Sequence, residues 1–283
     1  MTTDSYSEQI TEAANYIRSK IGSLTPTIGL ILGSGLGDIG NQIEESVFLP
    51  YNNIPNFPVS TVTGHEGRLV IGRLEGKTVI AMQGRFHYYE GYSLKKVAFP
   101  VYVMKLLGIK TLIITNAAGG MNRNFQAGDL MLITDHINLT GDNPLIGPNE
   151  PGLGPRFPDM SEAYYKPYGQ LAHSLAREIK DHQGLELLLQ EGVYCGISGP
   201  AYMTPAELTM LASLGGDAVG MSTVAEVIAA NHCGLKVLGL SCITDMAIGE
   251  ELQPLSHEQV VETANRTKPK FTRLLRLFVR EVS

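Results

Sequence analysis

The sequence predicts an α/β fold: a single domain over residues 1–283, with a central mixed β-sheet flanked by helices. Apolar, β-branched runs alternate with stretches of helical period, and that alternation is the first observation behind the prediction. The second is that most of these runs are continuous rather than alternating in polarity, which strands buried on both faces require. The third is that no interior stretch reads as a flexible linker and no internal repeat divides the 283 residues. A chain of this length can bury one large core.

Along the chain, residues 7–19 have the period of a helix, and 27–32 (Thr-Ile-Gly-Leu-Ile-Leu) are the first apolar strand. A stretch rich in Pro, Gly and Asn at 48–63 reads as irregular, and strands follow at 68–74 and 77–83. A helix is expected over 94–107, then strands over 111–115 and 129–133. The second irregular stretch, 140–160, holds Pro144, Pro148, Pro151, Pro155 and Pro158, which stiffen it without a helix or a ladder. Loops this long inside a compact domain are usually functional or disordered. Ser161 before Glu162 signals a helix over 161–180, followed by a strand at 192–197. Thr204 with Pro205 and Glu207 opens a helix over 204–214, and a short strand is expected at 218–221. Ser222 and Thr223 with Glu226 open a helix over 223–232, a strand occupies 236–243, and Ser256 with Glu258 opens the last helix, 257–282.

Composition excludes several functions. With 22 Lys+Arg against 28 Asp+Glu the formal charge is −6, so no basic stripe exists to neutralise a run of nucleic-acid phosphates. Any anionic ligand must be held locally. Cys195, Cys233 and Cys242 are odd in number and lack metal-ligand spacing, which fits a reducing compartment better than a disulfide framework. The first nine residues are polar and carry Asp4 and Glu8, unlike a secretory signal. The apolar runs fall far short of the roughly 20 residues that cross a bilayer. A cytoplasmic protein with no nucleic-acid and no membrane partner is expected.

Residues able to carry chemistry cluster at strand exits. Gly33-Ser34-Gly35-Leu36-Gly37 follows the first strand. Glycines there let backbone amides converge on an anion, and the Ser34 hydroxyl adds a donor, although tight strand exits use the same residues. A dinucleotide fingerprint needs its third glycine one position later, where Asp38 stands. Gly84-Arg85-Phe86-His87-Tyr88-Tyr89-Glu90-Gly91-Tyr92 follows the strand 77–83. If extended, it would turn Arg85, His87 and Tyr89 to one side. A guanidinium matches phosphate bidentately, imidazole can donate to an oxyanion, and the phenol to a hydroxyl. Thr115-Asn116-Ala117-Ala118-Gly119-Gly120 is a third exit where small residues admit a ligand close to backbone. His65 stands between Gly64 and Gly67 in a loop, where a lone His is commonly a surface residue, and His257 stands near a helix start, where it could simply cap.

These pieces, together with Asp135-His136-Ile137-Asn138, Arg156-Phe157-Pro158 and Val219-Gly220-Met221-Ser222-Thr223, resemble the trimeric purine nucleoside phosphorylase family over about residues 10–277. The resemblance implies a phosphorylase/hydrolase-like fold, a homotrimer and phosphorolysis: phosphate attacks the anomeric carbon of a nucleoside and releases base and ribose 1-phosphate. It implies that Ser34, His65, Arg85, His87, the Ala117 backbone and Ser222 hold phosphate. Tyr89, Met221 and His257 would position ribose, with Phe157 supplied by a neighbouring subunit. Ala118, Tyr202, Met203, Val219, Thr244 and Asp245 would surround the base. His87, His257 and Asp245 are the candidate catalytic residues; inorganic phosphate is a co-substrate, and no cofactor or metal is expected.

Two residues depart from the family's 6-oxopurine enzymes. Met203 stands where they place a Glu that accepts from the purine ring, and a thioether accepts only weakly. Asp245 stands where they place Asn; ionised, it only accepts, which favours a base with an exocyclic amino group. The related methylthioadenosine phosphorylases also carry that Asp, but place an apolar residue where this chain has His257. The expectation is a nucleoside phosphorylase of shifted or broadened base selectivity. The alternatives are a methylthioadenosine phosphorylase and a non-catalytic nucleoside-binding relative.

Overall fold

The computed structural model describes residues 5–62, 66–180, 184–254 and 256–282, with His257 described by its backbone. Among the described residues, nine strands form one mixed sheet: β1 (Ile28–Leu32), β2 (Glu44–Pro50), β3 (Arg68–Leu74), β4 (Lys77–Gln83), β5 (Thr111–Gly120), β6 (Leu130–Leu139), β7 (Leu189–Ile197), β8 (Ala218–Gly220) and β9 (Lys236–Met246). Their order is β2-β3-β4-β1-β5-β8-β7-β6-β9, and β9 also pairs with β5. The five strands β5, β8, β7, β6 and β9 therefore close on themselves, and the other four extend the sheet from β5.

Helices cover both faces, as the continuous apolar strands demand. α1 (Tyr6–Ile21), α2 (Leu94–Leu107) and α5 (Val224–His232) pack on one side, through Ile10, Ile17, Phe99, Val103, Val227 and Ile228. α3 (Lys166–Ala176) and α6 (His257–Glu281) pack on the other, through Leu175, Phe271, Leu275 and Phe278. α4 (Pro205–Ser213) covers the end of β7 through Leu208 and Leu211. At roughly 1.5–3 kcal/mol for each fully buried large apolar side chain, these layers hold the sheet together.

Several boundaries differ from the sequence reading, each for a physical reason. The stretch expected to be irregular from residue 48 begins inside β2, an exposed edge strand of sequence Glu-Glu-Ser-Val-Phe-Leu-Pro whose polar start hides its period and whose ladder is shifted between Glu44 and Val47. The strands β5, β6 and β9 run well past their apolar runs, because residues 116–120, 135–139 and 245–246 find ladder partners that local propensity does not foresee. The helix expected from Ser161 starts at Lys166 instead: the Ser161 hydroxyl and amide bond to Asp159, and Pro167 lies in the first turn. Thr204 and Ser256 do cap their helices, the second with Gln259 rather than Glu258 completing the box. The stretch 140–160 contains no helix or strand.

Candidate active site

Where β1 and β4 end and β5 and β9 run on, a cavity of about 530 Å³ opens. That is within the usual range for small-molecule sites, about 300–1,000 Å³. Its walls include Ser34, Arg85, His87, Tyr89, Ala117, Ala118, Tyr202, Met203, Val219, Met221, Ser222, Thr244 and Asp245. These thirteen are all expected site residues, drawn together from across the chain. Phe157 is not in the wall; the residue is 86% exposed in the single chain. His65 lies outside the described residues, as does the His257 side chain, so their placement is not part of this geometry.

One end of the cavity is suited to an anion. The chain turns there directly after β1, and glycine at position 33 is required by close approach: a Cβ would lie 2.6 Å from the Thr115 carbonyl oxygen and 2.8 Å from Asn116 Cα. The Gly33 amide donates to Thr115 Oγ1 at 3.0 Å, which ties the Ser34 turn to β5. The chain then enters a 3₁₀ turn, Gly37–Gln42, not the α-helix of a dinucleotide site.

After β4 the backbone does not continue as a strand. Residues Tyr88–Glu90 form a 3₁₀ turn, so the expected extended segment is corrected, yet Arg85, His87 and Tyr89 still meet at the cavity. Each is held by partners. Arg85 Nε and Nη2 donate to Glu226 Oε1 at 3.0 and 2.6 Å, and Nη1 donates to the Thr115 carbonyl at 2.8 Å. His87 Nδ1 lies 2.9 Å from Glu90 Oε1, whose other oxygen accepts from the Thr61 amide and hydroxyl. Burial opposes ionisation of Glu90, but the bonds from His87 and Thr61 outweigh it and hold this carboxyl at about 2. An ionised Glu90 can only accept, so Nδ1 is the donor and the ring's orientation is set. The His87 ring stacks on Tyr89 with centroids 4.7 Å apart. Burial, then the neighbouring Glu90, pushes the Tyr89 phenol up to about 12, so it remains neutral and able to donate.

Opposite them stands Ser222, at the entry to α5. Its expected role as a helix start is not observed. Thr223 takes the cap position with φ +74° and ψ −52° and makes no capping bond. For a β-branched residue this backbone is strained by roughly 1–3 kcal/mol. Its hydroxyl accepts from Asn116 Nδ2 at 2.9 Å and lies 3.1 Å from Ser222 Oγ, while the Ser222 amide donates to Tyr194 Oη at 3.3 Å. The sequence places Asn116 in the third strand exit, able to cap or donate, but offers Glu226 only as part of a helix start. The spacing Thr223-Val-Ala-Glu226 reads as an ordinary capping box, and nothing local reveals that Glu226 turns to Arg85 instead.

The far end is of different character. Ile197, Leu208, Val219, Ala247 and Leu252 form an apolar wall, with Met203 partly buried against the same cluster and Tyr202 54% exposed. The ladder between β5 and β9 shifts register after Ala118, pairing Ala118 with Ile243 but Gly119 with Asp245, so Thr244 is an extra residue. Such a bulge re-aims side chains, and both Thr244 and Asp245 line the cavity. Asp245 Oδ1 accepts from Thr244 Oγ1 at 2.8 Å. Burial raises its carboxyl from the ordinary aspartate value, with the Thr244 hydroxyl opposing. Among the described residues, no group of three or more His, Cys, Asp or Glu is arranged to hold a metal ion. Gln253, Pro254 and Val260 complete the rim. Sequence reasoning did not find them, because they lie near a helix start without a chemical signature.

Residues 27–280 match the family model described as the phosphorylase superfamily. Purine nucleoside phosphorylase 1 of Geobacillus stearothermophilus is 57% identical over 274 residues, covering 97% of each chain. The purine nucleoside phosphorylase of Bos taurus is 49% identical over 262 residues, covering 91% of this chain and 89% of its own. Among solved structures, isoform 2 of the Schistosoma mansoni enzyme, in complex with cytosine and ribose-1-phosphate, superposes with a TM-score of 0.92 at 46% identity, over 98% of this chain and 97% of that one. A second S. mansoni purine nucleoside phosphorylase structure, with adenosine, gives 0.90 at 42% identity, over 98% of both chains. With the fold, the cavity and these likenesses in agreement, this chain belongs to the phosphorylase superfamily, within its purine nucleoside phosphorylase family.

Proposed function

We propose that the protein is a purine nucleoside phosphorylase. A phosphate oxygen bonds to C1′ of a ribo- or deoxyribonucleoside, the C1′–N bond breaks, its electron pair leaves with the base, and the products are free base and ribose 1-phosphate. One observation carries the reading: anion donors from three strand exits, Ser34, Arg85 with His87, and Ala117, share a cavity with Ser222, below an apolar chamber that ends in Asp245.

Phosphate is assigned to Ser34, His65, Arg85, His87, the Ala117 backbone and Ser222. Tyr89, Met221 and His257 are assigned to ribose, and Ala118, Tyr202, Met203, Val219, Thr244 and Asp245 to the base. Cleavage builds positive charge on the sugar, which a phosphate dianion fixed beneath it stabilises, and negative charge on the base. Asp245 is the one carboxylate among the described wall residues. Protonated, it donates to the ring nitrogen of the leaving base; ionised, it accepts from an exocyclic amine. The exposed Phe157 is assigned to the ribose pocket of a neighbouring copy in a homotrimer. The protein acts in the cytoplasm and needs no cofactor besides the co-substrate phosphate. No helix among the described residues is long and apolar enough to cross a membrane.

Met203 and Asp245 broaden base selectivity toward amino-bearing bases, and relatives crystallised with adenosine and with cytosine support that breadth. Asp245 also suits the adenine of methylthioadenosine, whereas a histidine at 257 suits a 5′-hydroxyl. Base release from inosine, guanosine, adenosine, methylthioadenosine and cytidine, with and without phosphate, tests both parts. Phosphate-dependent release is expected, with adenosine or cytidine within roughly tenfold of inosine, less than one charged hydrogen bond separates. No release, or release that ignores phosphate, overturns the activity. Cleavage of inosine and guanosine far ahead of all others overturns the selectivity.

A further inference from the structure

We propose that Glu226 is a positioning residue of the phosphate site: it fixes the Arg85 guanidinium and, by its opposite charge, moderates the attraction of Arg85 for phosphate so that the phosphorylated sugar can leave. This rests on the phosphorolysis reading above.

Arg85 and Glu226 side chains are 2% and 3% exposed, and their closest N···O distance is 2.6 Å. One carboxylate oxygen accepts from Nε and Nη2 together, while the Thr115 carbonyl holds Nη1. Two elements, α5 and β5, thus fix the guanidinium plane. Arg85 is in the cavity wall and Glu226 is not, so the glutamate acts from behind. Two features separate this from ordinary packing. Glu226 occupies the third position of α5, where a glutamate normally folds back on its cap, yet Thr223 makes no such bond and the side chain is diverted to Arg85. Its second oxygen, Oε2, is buried without a hydrogen-bond partner among the described residues. An unsatisfied buried acceptor is costly, and a neutral partner could orient Arg85 without it. What a carboxylate adds is negative charge. Breaking such a pair leaves an uncompensated buried cation, whereas keeping it makes the resting site nearly neutral. A dianion then meets oriented donors rather than a bare cation, and both its binding and its release stay fast.

The experiment compares wild type, Glu226→Gln and Glu226→Ala by calorimetric titration with inorganic phosphate and by kinetics with phosphate and inosine or adenosine varied separately. Gln keeps an acceptor for Arg85 but loses the charge. Phosphate should bind roughly three- to tenfold more tightly, kcat should fall as product release slows, and kcat/KM for nucleoside should not move. Ala loses the orientation, and kcat/KM for phosphate should drop about 100-fold with nucleoside KM unchanged. If Ala does not fold, Gln alone decides. Phosphate binding by Glu226→Gln that is unchanged or weaker overturns the proposal, as does equal loss in both variants. A wild type that binds no phosphate contradicts the phosphorolysis reading itself, which is a separate and recognisable result.

Discussion

The two ends of the cavity are built by different rules. At the anion end polar side chains interlock: Arg85 is held by Glu226 and Thr115, His87 by Glu90, and Ser222 through Thr223 and Asn116. At the base end the wall is apolar, Tyr202 is half exposed, Met203 offers a flexible thioether, and Asp245 accepts a hydrogen bond from its own neighbour Thr244. A network of interlocked polar groups tolerates little change, because removing one member strands the others. An apolar wall with a single carboxylate among its described residues tolerates substitution. The contrast explains how a chain can keep phosphate chemistry while its base preference drifts.

The largest effect should come from breaking the anion end. Arg85→Ala should lower kcat/KM for phosphate by roughly 100- to 1,000-fold, the usual loss for a preorganised donor, while nucleoside affinity hardly changes. Steady-state kinetics with each substrate varied separately read this, and equal losses for both substrates would erase the contrast. At the base end, Asp245→Asn should raise the ratio of inosine to adenosine turnover by about 10- to 150-fold, the value of one charged hydrogen bond. The same ratio should depend on pH in the wild type. Because burial raises the Asp245 carboxyl, its neutral, donating form grows as pH falls, so inosine should gain on adenosine toward acid and lose toward alkali. The Asn variant should show a flat ratio.

The smallest effect concerns stability. The Glu90 carboxyl is held at about 2 in the fold, below the unfolded value near 4.3. A depressed folded value contributes stability that is complete above the unfolded value and is lost as pH falls through the folded one. Glu90→Gln should therefore melt lower than wild type at pH 7, with the gap closing as pH falls from about 4.3 toward 2. Melting curves across that range check it, and a gap independent of pH would contradict the assignment.

Much of this was legible in the sequence where chemistry is local. Gly33 to Gly37 and Gly84 to Tyr92 announce themselves because glycine flanks and strand exits lie side by side in the chain, and the apolar strand runs predicted the two-faced sheet. What was not legible depends on distance or on closure. Glu226 is 141 residues from Arg85, and its spacing imitates a helix cap. The left-handed backbone of Thr223 is imposed by its surroundings against the residue's own preference. The bulge that turns Thr244 and Asp245 into the cavity exists only because β9 also has to pair with β5 beyond its apolar run. Edge strand β2 escaped for the opposite reason, having too little burial to leave an apolar pattern.

Phosphate bonding directly to the sugar carbon is the central claim, and isotope transfer measures it. With phosphate labelled in all its oxygens and inosine or adenosine as donor, the bridging oxygen of the ribose 1-phosphate product should carry the label, read by its phosphorus resonance and mass. Free ribose, or a bridging oxygen without label, would contradict the account.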